Sequence, residues 1–91
     1  MEVNNMKEMD AVRITVEKNE YAKDGVHKGM YGWICLNDCY NGYWSVNFPQ
    51  CGEKEDIATI SIHEDDMEIV PIMHAIENER IKEEWENKST T

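Results

Sequence analysis

Basic charge is scarce in this sequence: nine Lys and Arg residues stand against nineteen Asp and Glu, giving a formal net charge of −10. Nucleic-acid backbones and anionic lipid surfaces are held by clustered cations, so neither direct nucleic-acid binding nor membrane-surface binding is expected. Long hydrophobic runs are also missing. Nothing approaches the roughly 20 apolar residues of a membrane span, and the opening MEVNNMKEMD lacks the apolar core of a secretory signal. Together these absences predict a cytoplasmic protein. Cysteine is limited to Cys35, Cys39 and Cys51, an odd number that argues against a disulfide framework and for reduced thiols. With 91 residues, of which 41% are hydrophobic, the chain can fill one modest core but not two.

What is present is mostly strand-like. Residues 1–9 are polar and aperiodic and read as a flexible lead-in. From Ala11 to Lys18 the side chains alternate, with Val12, Ile14 and Val16 on one face. Asn19 to Met30 is a long structured loop, punctuated by Asp24-Gly25 and Lys28-Gly29 and anchored by Tyr21 and Val26. The next strand sorts Gly32, Ile34 and Leu36 from Tyr31, Trp33 and Cys35, and after a turn bracketed by Asn37-Asp38 and Asn41-Gly42 the residues Trp44, Val46 and Phe48 alternate with Tyr43, Ser45 and Asn47. Pro49 stops that strand. Ile57 to His63 is β-branched and alternating, Glu64-Asp65-Asp66 reads as a solvated 3₁₀-like turn, and Met67 to Val70 makes a fifth strand. Pro71 suits a helix start, and Ile72 to about Glu86 is rich in helix formers, so residues 71–88 are expected to be helical before a frayed 89–91. The helix stripe is irregular, because the five-residue step from Ile76 to Ile81 rotates the Ile81–Trp85 pair away from Ile72–Ile76.

The predicted fold is therefore mainly β, a small five-stranded antiparallel barrel over residues 10–70 followed by a C-terminal α-helix. The stretch VRITVEKNEYAKDGVHKGMYGWI, through Lys28, Gly29, Gly32 and Ile34, resembles SH3-like barrels of the KOW type, and residues 10–70 as a whole resemble the small SH3-like proteins of Gram-positive bacteria and their prophages. The resemblance implies an SH3-like barrel. The RNA or ribosomal partners of KOW-type domains do not carry over, since their basic surface is replaced here by acidic charge.

No reaction-defining motif is present, and no enzyme activity or cofactor is expected. If Gly32 and Ile34 face inward, Tyr31, Trp33 and Tyr43 lie on the outer surface, with Tyr21 and Tyr40 from loops beside them. Such a face, with the Asp24, Gly25, Lys28, Gly29 and Gly32 loop and strand start, suits a protein or peptide partner that is basic or contains proline. The same stripe is also the natural cover for Ile76, Ile81 and Trp85. A second function class, an acidic inhibitor or nucleic-acid mimic seated in a basic groove, requires a strip of carboxylates on one face. Cys35, Cys39, Cys51 and His63 form the weaker metal alternative, since zinc sites usually pair two short-range ligand couples. His27, His63 and His74 read as ordinary surface or strand-end histidines.

Overall fold

The computed structural model describes residues 9–35, 41–50 and 55–89. Five strands, β1 (Ala11–Ile14), β2 (Tyr31–Ile34), β3 (Tyr43–Phe48), β4 (Ala58–His63) and β5 (Met67–Ile69), form one sheet in the order β4-β3-β2-β1-β5. All four pairings are antiparallel. The sheet curls into a half-barrel whose two edges are β4 and β5. A single helical turn, α1 (Asn19–Ala22), sits in the β1–β2 connection, a 3₁₀ turn (Glu64–Asp66) joins β4 to β5, and α2 (Ala75–Ser89) ends the described chain. The expected mainly-β fold with five antiparallel strands and a C-terminal helix is thus what forms. No helix among the described residues is long and apolar enough to cross a membrane.

Alternation builds the core as the pattern predicts. Val12, Ile14, Ile34, Val46, Phe48 and Ile62 are fully buried, Trp44 is nearly so, and Ile60 packs against them from its register position opposite Val46. The loop contributes Tyr21, Val26 and Met30. Gly32 is needed for close approach: a Cβ there would stand 2.6 Å from Val46 Cγ1 and 2.8 Å from the Asn47 carbonyl oxygen.

The element ends differ from expectation for local reasons. β1 stops at Ile14, where the ladder passes to the loop: Ile14 N–H donates to Met30 O, Gly29 N–H to Ile14 O, and Thr15 N–H to Asp66 O. Glu17 then uses its carboxylate to accept the Lys28 N–H at 2.9 Å and to meet His27 Nδ1 at 2.8 Å. The helix starts at Ala75 and not at Pro71 or Ile72. Its buried face is Asn78, Ile81 and Trp85, spaced i, i+3, i+7. That face leaves Ile72 and Ile76 exposed, which resolves the irregular stripe: the first member of the buried row is polar. Leu36, the 37–38 half of the expected turn, most of the 1–9 lead-in and residues 90–91 lie outside the described residues.

Candidate functional site

The helix sits where β2 and β3 part. β2 and β3 pair at Trp33–Asn47 and Ile34–Val46, and beyond that point Tyr31 has no strand partner on the β3 side. Asn78 takes that place. Its Oδ1 accepts the Tyr31 N–H at 2.7 Å, and its Nδ2 donates to the Tyr31 and Pro49 carbonyl oxygens, each at 2.8 Å. A buried amide thus satisfies both strand ends, as a buried polar group must. One turn on, Ile81 enters the core and comes against Gly29, whose φ of +95° and 3.2 Å Cβ-to-Ile81 clearance favour glycine. Trp85 then stacks on His27 at 4.2 Å between centroids and 5° between planes, and Lys88 Nζ lies 4.7 Å from the Trp85 ring centre.

This docking leaves a cleft of about 550 Å³ between α2 and the outer side of the β1–β2 region. Its floor carries Arg13, Gly29 and Tyr31, its rim Lys28, and its wall His74, Glu77, Arg80, Glu84 and Trp85. Tyr31 and His74 meet edge to face at 5.1 Å. Three of the chain's nine Lys and Arg residues line this cleft. Arg80 bridges Glu77 and Glu84, and Arg13 meets Glu68 at 3.0 Å. The Lys28 ammonium has no ion-pair partner among the described residues. Trp85 separates this cleft from a smaller one of about 270 Å³ lined by Ala22, Gly25, Ile57 and His27, with the Lys82–Glu86 pair beside it.

A second, polar cluster, buried at Tyr21 and Asp66 and open to solvent at Lys18, joins the loop to the 3₁₀ turn. Tyr21 donates its hydroxyl proton to Asp66 Oδ2 at 2.6 Å and accepts the His63 N–H at 3.1 Å, while Lys18 Nζ reaches the same Asp66 oxygen at 2.8 Å. Burial, and then the Asp66 bond, push the Tyr21 hydroxyl well above its ordinary value. Burial works to raise the Asp66 carboxyl, but the bonds from Lys18 and Tyr21 outweigh it and hold it below the usual range. The Asp66 bond raises Lys18. Every member is a partner of another, so this is a structural tie between the loop and the turn. The turn was expected to be solvated; Asp66 is instead buried.

The expected outer aromatics are not gathered. Tyr31 and Trp33 are half-buried on the outer side of β2, and Tyr43 is exposed on β3. Trp33 is opposite Asn47, four residues along from Tyr43, which places Tyr43 about 13 Å from the Trp33 row and about 20 Å from the Tyr31 row. Tyr43 meets His63 edge to face at 5.0 Å. Tyr21, placed on the outside by the sequence reading, is 2% exposed, because its ring fills the core while its hydroxyl finds Asp66. Tyr40 lies outside the described residues. The helix meets the β-layer at Tyr31 and beside it at Gly29 and Pro49.

Of the loop positions, Lys28 and Gly29 line the larger cleft and Gly25, at φ +88°, the smaller one. Asp24 is exposed beside it, and Gly32 is buried in β2. Cys35 and His63 are not brought together. Cys35 N–H bonds Ser45 O, which puts it two strands and two residues away from His63, roughly 10 Å or more. The His63 Nδ1 is occupied by the Asp65 N–H at 3.1 Å. Cys39 and Cys51 lie outside the described residues, and among those described no group of three His, Cys, Asp or Glu side chains is arranged for a metal. On α2, Glu77, Glu84 and Glu86 are ion-paired within the helix. The sequence reading does not single out Asn78 or the His27–Trp85 stack; the one available signal is a polar residue, Asn78, at stripe spacing from Ile81 and Trp85.

Comparison of the chain with protein-family models, with curated proteins and with solved structures finds no match.

Proposed function

We infer that this protein is a non-enzymatic interaction module built on an SH3-like half-barrel, and that its binding surface is the larger cleft between α2 and the start of β2. The SH3-like reading is supported by the strand order β5-β1-β2-β3-β4, the long β1–β2 connection and the 3₁₀ turn before β5. The observation that carries the binding reading is the row of rings, Tyr31, His74 and Trp85, along one 550 Å³ cleft. Flat rings bury large area at low entropic cost, which suits a proline or another apolar residue of an extended segment. Arg80 and Lys28 balance Glu77 and Glu84 along the cleft, and Arg13 is paired with Glu68, so the rings hold the ligand, while the net charge of −10 draws a basic partner to the molecule. The partner is thus a basic protein presenting a proline-containing segment, and the module is cytoplasmic.

A synthetic peptide with two prolines three positions apart and an arginine at each end tests this. Titration should show saturable binding that weakens roughly tenfold in Tyr31→Ala, a loss of about 1.4 kcal/mol. Tyr31 holds Asn78 through its backbone alone, so this variant keeps the helix docked. Equal binding by both proteins would remove the cleft from consideration.

A further inference from the structure

The edge of β4 has a feature that the cleft does not use. Glu64 N–H donates to Gly42 O, and this fixes the phase of the β3–β4 ladder. Hydrogen bonds are exchanged at Trp44–Ile62, Val46–Ile60 and Phe48–Ala58, and not at Ser45–Ser61 or Asn47–Thr59. The N–H and C=O groups of Thr59 and Ser61 therefore point away from β3. Both residues are exposed, and neither makes a further backbone bond among the described residues. The open stretch has definite ends: the Ile57 N–H is taken by Phe48 O and the His63 N–H by the Tyr21 hydroxyl.

Free edges are normally blunted by Lys, Pro or a bulge. Ala58–Ile62 reads ATISI, with no charge, proline or glycine, and its five residues pair one to one with Phe48–Trp44. Ala58 and Ile60 on its inner face are only half-buried against the core, so an added strand would extend their cover. The flanks decide what that strand is. Glu55 and Asp56 precede the stretch, and Glu64 and Asp65 follow it. A second copy pairing antiparallel about Ile60 would set Asp56 of each chain against Glu64 of the other, and like charges directly opposite are destabilising. Cations at both ends of a partner strand meet carboxylates instead.

We propose that the β4 edge accepts an extended peptide by strand addition, with an uncharged β-branched centre bonded to Thr59 and Ser61 and Lys or Arg at both ends. Main-chain bonds supply the affinity and the flanking carboxylates the selectivity. The site is separate from the cleft and does not depend on it.

The probe is a synthetic Lys-Lys-Val-Thr-Val-Thr-Val-Lys-Lys peptide, titrated into the full chain at low salt with amide shifts followed by NMR. Shifts should centre on Thr59 and Ser61, and binding should weaken with salt. Ser61→Pro removes an N–H that β3 does not use, so the variant should keep its far-UV spectrum and bind roughly tenfold or more weakly. The same peptide N-methylated at alternate amides should lose binding to the parent protein, which tests the site without any substitution. Equal binding of the methylated peptide, equal affinity of a folded Ser61→Pro, or slow exchange of the Thr59 and Ser61 amides in the unliganded monomer would overturn the proposal. Shifts confined to Tyr31 and Trp85 would do so as well, while leaving the cleft intact.

Discussion

Asn78 bonds both the N–H and the C=O of Tyr31, at 2.7 and 2.8 Å, and so stands in for the strand that β3 no longer provides. Its remaining bond, to the Pro49 carbonyl, ties the same amide to the end of β3. Removing a buried partner leaves the other groups desolvated and unpaired at about 1–3 kcal/mol each, partly offset by entering water. Asn78→Ala should therefore cost about 2–4 kcal/mol, read from the urea midpoint at constant slope. Ile76→Ala, at a 65% exposed position of the same helix, should stay within about 0.5 kcal/mol. Equal midpoints for the two variants would mean that Asn78 does not hold α2 to the sheet.

The way α2 is anchored also shows where sequence reading succeeds and fails. Period-two alternation marks Trp44, Val46 and Phe48 as the lining, because a sheet with one dry face allows no other register. Asn78 gave no comparable signal, since its burial depends on a gap between β2 and β3 that exists only in three dimensions. Outer residues were harder still. Tyr31 and Tyr43 share an outward face, but the β2–β3 register separates them along the strands, and no local pattern encodes that offset. Asp66 looked like one of three solvated carboxylates until the Tyr21 hydroxyl and Lys18 ammonium met it.

Packing leaves no room at Gly32. Gly32→Ala should cost roughly 1–3 kcal/mol, since Val46 and the Asn47 carbonyl, 2.6 and 2.8 Å from the new Cβ, must move. Thermal melts would show this as a lower transition with the far-UV spectrum retained. An unshifted melt would mean that β2 and β3 separate more easily than their close contact implies.

The Tyr21–Asp66 tie gives stability a definite pH dependence. Asp66 lies below its ordinary range because the Lys18 and Tyr21 bonds overcome its burial. Its contribution is therefore complete above the unfolded carboxylate value of about 3.9 and is lost as pH falls through the lower folded value. Tyr21 runs in the opposite sense. Burial and the Asp66 bond raise it, so its contribution is complete below the unfolded value of about 10 and lost as pH rises beyond that. Asp66→Asn should be less stable at neutral pH and show a shallower acid limb in urea titrations. Tyr21→Phe should flatten the alkaline limb. Acid and alkaline limbs matching the parent in both variants would show that the tie carries no linkage.

Binding at the α2 cleft is tested most directly by amide and indole NMR shifts of the full chain on adding the proline-containing basic peptide. Saturating shifts at Lys28, Gly29, Tyr31 and the Trp85 indole, with Trp33 and Tyr43 undisturbed, are expected. Shifts centred on Trp33 and Tyr43, or none at millimolar peptide, would contradict it.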